Sequence, residues 1–208
     1  MHIVLRKNIF CMDTTLYSIG HGTKDLEEFL LELQSFNIQY LIDVRSSPFS
    51  KWAPQYNQIP LSNSLQSKGI RYYYMGDIIG GRPKDDACYD DEGYYSYKKM
   101  AEVPSFKEGL VRLVNANQKQ IRVAIMCSES NPAECHRSKL IGRELYDKFQ
   151  IDMKHIIAPN NTILENEVIS ELSNWEPAGN LLFSIPLPYF RSRKSYRDMS
   201  LQNDPYYD

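Results

Sequence analysis

The sequence predicts one three-layer α/β domain, a mostly parallel sheet of about five strands with helices on both faces. Three observations carry this. Short apolar, β-prone runs recur along the chain, and each is closed by a polar or Gly-rich turn. Each turn leads into apolar residues at helical spacing, and the runs show little polar alternation, as expected of strands covered on both sides. A chain of 208 residues, 42% of them hydrophobic, can bury roughly 70% of its unfolded surface around one core.

The first strand is Leu16-Tyr17-Ser18-Ile19, stopped by Gly20-His21-Gly22. Leu26, Phe29, Leu30 and Leu33 then mark a helix that Thr23 or Asp25 can cap, Asp25 and Glu28 having the capping-box spacing. Tyr40 to Val44 is the second strand and runs into Arg45-Ser46-Ser47-Pro48. After a loop with Trp52, Pro54 and Pro60, Leu61 to Lys68 reads as a short helix and Ile70 to Tyr74 as the third strand. Gly76 to Pro104 has no sustained period, and so long a stretch suggests a binding loop or lid.

Ser105 with Glu108 makes a capping box ahead of Phe106, Leu110, Leu113 and Val114. Ile121 to Met126 is the clearest buried strand and stops at Cys127-Ser128-Glu129-Ser130. Asn131 then suits an N-cap, Pro132 the first helical position and Glu134 the capping carboxylate, with Leu140, Ile141, Leu145 and Phe149 as the buried stripe. A strand from Met153 to Ile157 and a helix from Ile163 to Leu172 complete the pattern. Residues 1–13 read as an N-terminal arm, 14–174 as the domain, and 175–208 as a partly disordered extension with a β-prone run at Leu181 to Ile185.

With 24 Lys plus Arg against 26 Asp plus Glu, the net charge of −2 gives no whole-chain footprint for nucleic acid or membranes. The four cysteines, Cys11, Cys88, Cys127 and Cys135, form no CxxC pair, and no apolar run is long enough for a signal or a membrane span. The expectation is a cytoplasmic protein with reduced thiols, no membrane partner and an open oligomeric state.

Ligands of open parallel sheets bind outside the carboxyl ends of the strands. His21 follows the first strand, Asp43 and Arg45 end the second, and Cys127, Ser128 and Glu129 end the fourth. A helix starting at Asn131 would aim its free N–H groups at the same cleft, so a small anionic ligand is expected there, with Arg45, Arg82, Arg137 and Ser128 as its contacts. The competing reading pairs these arginines with Asp43, Glu129 and Glu134.

These segments also resemble a known family. Tyr17-Ser18-Ile19-Gly20-His21, Asp43-Val44-Arg45 with Pro48 and Ser50, Gly80-Gly81-Arg82, Met126-Cys127-Ser128-Glu129 with Pro132, and Cys135-His136-Arg137 are similar in order and spacing to domain of unknown function 488. The resemblance covers Leu16 to Ile157 and implies no activity.

Several chemistries fit the strand-end residues. A phosphatase loop would need a closing arginine where Ala133 and Ile141 stand. Cys127 near a helix N-terminus could be a lowered-pKa nucleophile or a half-buried structural thiol. Zinc held by His21, Cys127, Cys135 and His136 matches no common spacing. Cys135 and His136 as helical neighbours would also point about a hundred degrees apart. No metal or cofactor is therefore expected.

Acid–base chemistry by Glu129, Asp43, His21 and His136 is the favoured enzymatic reading, for a phosphorylated or nucleotide-like substrate, with Gly80-Gly81-Arg82 in a closing loop. His21 could equally be a turn residue bonded to backbone. The alternative function is a non-catalytic nucleic-acid or nucleotide-binding module. There Tyr72, Tyr73, Tyr74, Tyr89, Tyr94, Tyr95 and Tyr97 would stack bases beside Arg82, Lys84, Lys98 and Lys99, although Asp85, Asp86, Asp90, Asp91 and Glu92 interrupt any basic track.

Overall fold

The computed structural model describes residues 13–82, 85–173, 190–192 and 195. The expected arm ahead of Asp13, Lys84, the run at 181–185 and most of the C-terminal extension lie outside the described residues. Six strands, β1 (Leu16–Gly20), β2 (Tyr40–Asp43), β3 (Arg71–Tyr74), β4 (Val123–Cys127), β5 (Lys154–Ala158) and β6 (Asn161–Leu164), form one sheet in the order β3-β2-β4-β1-β5-β6. Every pairing is parallel except β5 with β6. The helices are α1 (Leu26–Ser35), α2 (Gln58–Ser67), α3 (Gly76–Ile79), α4 (Tyr97–Glu102), α5 (Pro104–Gln118), α6 (Arg143–Phe149) and α7 (Glu165–Ser173).

Strand alternation divides the core into two layers. Ala124 and Met126 of β4 pack with Phe29, Leu30 and Leu33 of α1 and Leu61 and Leu65 of α2. Val123, Ile125 and Cys127 face the other way, onto Phe106, Leu110 and Leu113 of α5 and Leu145 of α6. The chain thus leaves β1 for a helix on one face and leaves the adjacent β4 for helices on the other. The gap between those two carboxyl ends is the switch point where doubly wound sheets hold their ligands. The three-layer α/β class predicted from sequence is the class observed.

Several elements depart from expectation. The stretch 76–104 is no simple lid: it folds into α3, a 3₁₀ turn at Asp86–Cys88 and α4, and it buries Ile79, Cys88, Tyr95, Tyr97 and Met100 in the core. Its pieces are too short to show a period. Ile163 and Leu164 belong to β6, because Asn160 at φ 57° turns the chain back antiparallel. The caps also differ. Asp25 stands at the start of α1 without a side-chain hydrogen bond, and α5 starts at Pro104 with Val103 as its cap, where the expected Ser105–Glu108 box has no part.

The helix expected from Asn131 is broken. Asn131 Oδ1 does accept from the Ala133 N–H at 3.0 Å, but only a 3₁₀ turn, Pro132–Glu134, follows. Cys135 is extended at φ −115° and ψ 148°, and the continuous helix starts only with the π-helical stretch Arg137–Gly142 that runs into α6. The short turn at Asn131 therefore lacks the aligned peptide dipoles that the anion argument used.

Candidate functional site

The strand-end segments are stitched together by backbone hydrogen bonds past the sheet. The His21 N–H donates to the Cys127 carbonyl at 3.1 Å, that of Gly22 to Ser128 at 2.9 Å, and that of Val44 to Met126 at 3.0 Å. Gly20 allows the closest approach: a Cβ there would lie 1.9 Å from Glu129 O and 2.6 Å from Arg137 Nη1. Gly20→Ala is expected to cost about 1–3 kcal/mol or more, because backbone and not a flexible side chain must move. Urea unfolding checks this, and an unchanged midpoint would show that the 129 segment yields freely.

Asp43 and Arg45 form a buried, bidentate pair. Asp43 Oδ1 accepts from the Arg45 backbone N–H and from Nε, each at 3.0 Å, and Oδ2 from Nη2 at 2.6 Å and the Tyr72 hydroxyl at 2.8 Å. Arg45 Nη2 also donates to the Tyr56 carbonyl at 2.7 Å. Both residues are thus structural here: the carboxylate has no lone pair left for proton transfer, and most guanidinium donors are spent internally. The expected roles of Asp43 as a proton carrier and Arg45 as an anion contact do not fit this geometry.

His21 is buried, stacked on Tyr56 at 4.3 Å between ring centroids. Its Nδ1–H donates to the Gly22 carbonyl at 3.0 Å, leaving Nε2 to face Arg45 Nη1 at 3.5 Å. Burial first, then the Arg45 charge, lower its pKa to about 4, against weaker opposing effects of the Gly22 bond, Asp43 and Glu129. Its burial and its bond to the Gly22 carbonyl fit the reading of His21 as a turn residue bonded to backbone.

Arg137 is 1% exposed and serves the same loop as Gly20. Its Nη1 donates to the Glu129 carbonyl and its Nη2 to the Ser130 carbonyl at 2.7 Å. It braces the 129–130 backbone instead of presenting itself to an anion. Arg82 and Ser128 are both half-buried.

The chemistry concentrates in four side chains. Cys127, Cys135 and His136 are buried, whereas Glu129 is exposed overall with one oxygen turned inward. Glu129 Oε2 lies 2.7 Å from Cys127 Sγ and 3.3 Å from Cys135 Sγ. His136 Nδ1 lies 3.6 Å and 3.7 Å from the same two sulfurs. Its Nε2 stands 3.1 Å from the Val44 carbonyl, an obligate acceptor, so that nitrogen carries the proton and Nδ1 faces the thiols. The Gly81 backbone lies against the ring, where a Cβ would come 2.9 Å from His136 Nδ1, so Arg82 follows directly on the residue that covers the imidazole.

Burial alone pushes the Cys127 thiol up, but the hydrogen bond from Cys135 and the His136 charge bring it down to about 6. Burial, then the proximity of Cys127, pushes Cys135 up. For His136, burial works downward and is outweighed by Cys127 and Glu129, which raise it. Glu129 is held down to about 2, burial being overcome chiefly by His136 and by the thiol hydrogen bonds. The cluster carries an ionised carboxylate at its solvent side and sulfur within.

Cys135 escaped the sequence-derived site because neighbours on a helix diverge. Its extended backbone removes that premise and lets Cys135 and His136 converge on one point. A second polar network also went unforeseen. Ser18 Oγ meets His155 Nδ1 at 2.6 Å, His155 Nε2 meets Glu165 Oε2 at 2.6 Å, and Ser138 Oγ donates to Glu165 Oε1 at 2.9 Å. The order resembles a nucleophile relay, but Ser18 is 0% exposed in mid-strand, so the network is a structural one. A histidine inside the apolar run His155-Ile156-Ile157 was its one sequence signal.

The tyrosines form no stacking platform among the described residues. Tyr95 and Tyr97 are in the core, Tyr74 donates to the Ser46 carbonyl at 3.0 Å, and the Tyr89 and Tyr95 hydroxyls meet at 2.5 Å. Tyr73 alone of the β3 tyrosines is largely exposed. No helix among the described residues is long and apolar enough to cross a membrane.

A family model described as domain of unknown function DUF488 matches residues 25–143, more than half of the chain. The match takes in Asp43-Val44-Arg45, Gly80-Gly81-Arg82, Cys127 to Glu129 and Cys135-His136-Arg137. No curated protein and no solved structure is significantly similar to the chain.

Proposed function

We propose that this chain, which belongs to the DUF488 family, is an enzyme that binds a small anionic, phosphorylated or nucleotide-like substrate at the switch point and acts on it by acid–base chemistry centred on Glu129. The observation that carries this is Glu129, a residue exposed overall whose carboxylate is held against the two thiols at the end of β4. A substrate arriving from solvent meets Glu129 before it meets Cys127, whose 3% exposure argues against direct nucleophilic attack. Held near a pKa of about 2, Glu129 enters as an acceptor and takes a proton only from a donor that the site has made acidic.

Arg82 and Ser128 are the anion contacts of this reading, while Arg45 and Arg137 donate within the fold. A thermal-stability screen against orthophosphate, sugar phosphates and nucleotides tests the binding half. A ligand at about 100 times its Kd stabilises by about 2.7 kcal/mol and raises the midpoint of a domain this size by about 5–11 °C. The shift is expected to vanish in Arg82→Ala, and Glu129→Gln is expected to keep the shift and lose turnover. No shift with any of these anions sinks the substrate class; a shift without turnover favours the non-catalytic module.

A further inference from the structure

We infer that Cys127, Cys135 and His136 form a binding site for one tetrahedral divalent cation of the zinc class, with Glu129 beside its fourth position. The three ligand atoms, Cys127 Sγ, Cys135 Sγ and His136 Nδ1, all lie within 4.8 Å of one another. Zinc binds sulfur at about 2.3 Å and imidazole nitrogen at about 2.0–2.1 Å, and a tetrahedral angle then sets S···N at about 3.6 Å. The distances from His136 Nδ1 to the two sulfurs are 3.6 Å and 3.7 Å.

Two further features belong to a metal site. Metal-bound histidines almost always donate their second ring N–H to a carbonyl or carboxylate, which fixes the tautomer and aims the free lone pair. His136 does this through Nε2 to the Val44 carbonyl at 3.1 Å. The Arg137 backbone N–H also points at Cys135 Sγ at 3.4 Å, where it would offset thiolate charge.

Two thiols supply two S–H groups, while two sulfurs, Nδ1 and Oε2 crowd together in four close contacts. A single cation among them would take one lone pair from each sulfur and one from Nδ1.

Glu129 is placed differently. As a fourth ligand its oxygen would stand about 3.6 Å from each sulfur by the same tetrahedral arithmetic. It is 2.7 Å from Cys127 Sγ. That is too close to the sulfur for a tetrahedral neighbour, and Glu129 is not among the residues whose ligand atoms all lie within 4.8 Å of one another; the fourth position would then fall to water, whose acidity the cation would raise and whose proton Glu129 could accept. This gives the acid–base reading its missing donor, although cation binding rests on the ligand geometry and stands without that reading.

Two thiolates, one imidazole and a soft to borderline preference favour Zn(II), with Co(II) as a spectroscopic stand-in. The test adds Co(II), then competing Zn(II), to the reduced full-length protein. One equivalent is expected to give thiolate-to-cobalt charge-transfer absorption with intense tetrahedral bands, which Zn(II) bleaches. Cys127→Ser and Cys135→Ser are expected to lose more than the roughly 10–100-fold in affinity that an outer-shell change removes. Glu129→Gln is expected to keep the spectrum.

A wild-type protein that shows no thiolate band, or only the weak spectrum of octahedral cobalt, overturns the site whatever the variants do. Retention of the full spectrum in Cys135→Ser overturns it too. A spectrum without turnover on any anion removes the enzymatic proposal and leaves the metal site standing. Turnover without a spectrum does the reverse.

Discussion

Replacing His155 by Leu is expected to lower the unfolding free energy by about 3–5 kcal/mol, one of the two largest effects foreseen for any single change in this chain. His155 and Ser18 are register partners on neighbouring strands β5 and β1, both at or below 1% exposure. Glu165, 0% exposed at the start of α7, is fixed by its backbone N–H to the Met153 carbonyl at 2.9 Å and cannot swing out to water. Removing the imidazole leaves that carboxylate with Ser138 as its remaining side-chain partner and strands the Ser18 hydroxyl as well. Marginal folds hold only about 5–15 kcal/mol in all, so the variant should sit near its threshold.

The companion variants separate the cost of an orphaned buried carboxylate from that of a lost attraction. Glu165→Gln keeps the shape and removes the charge, and it should cost less, about 1–3 kcal/mol. The double change His155→Leu with Glu165→Leu should cost far less than the two single changes summed, because a buried pair exchanged for apolar side chains is often near neutral. Urea midpoints for the four proteins decide it, and strictly additive losses would mean that the pair is not coupled.

The fold was legible because its signals are local. Apolar runs closed by Gly20, Arg45 and Cys127 gave the first, second and fourth strands, and the spacing of Phe29, Leu30 and Leu33 gave α1. What failed depended on a single backbone state or on pieces too short for periodicity. Asn160 in the left-handed region converts an expected helix start into β6, and Cys135 in an extended conformation breaks an expected helix.

The site was half legible for a related reason. Sequence position predicted that His21, Arg45, Glu129 and Arg137 would converge at the strand ends, and the backbone bonds from His21 to Cys127 and from Gly22 to Ser128 carry out that convergence. Roles were another matter. Whether an arginine faces a ligand or a carbonyl depends on the partner at hydrogen-bonding distance, and the Tyr56 and Ser130 carbonyls that occupy Arg45 and Arg137 have no residue-type signature. The same holds for the convergence of Cys135 with His136.

His21 should make this protein acid-sensitive in a defined window. Its imidazole has a pKa of about 4 in the fold against 6.5 in an unfolded chain, because burial and Arg45 penalise the charged ring. Between those values the unfolded chain takes up a proton that the native state refuses. Stability is therefore full above about pH 6.5, falls as the pH drops through the window, and stops falling on this account below about pH 4. The interval is worth about 3 kcal/mol. Other groups act in other ranges: Glu129, held down to about 2, loses its share of stability at lower pH, and His136, raised in the fold, contributes most below its unfolded value.

Subtracting a His21→Asn variant isolates the effect. Asn can keep the donor to the Gly22 carbonyl but has no proton to bind, and the charged groups facing the site, Arg45, Asp43 and Glu129, stay in both proteins. The stability advantage of the native protein over the variant should shrink by about 3 kcal/mol between pH 7 and pH 4, read from urea midpoints at each pH. Parallel curves would mean that the His21 ring reaches water before it is protonated. The neutral ring also has a positional consequence. With Nδ1–H committed to Gly22 and Nε2 turned to Arg45, it holds the β1 turn against the guanidinium that anchors Asp43 and Tyr56, so acid should loosen the carboxyl ends of β1 and β2 together.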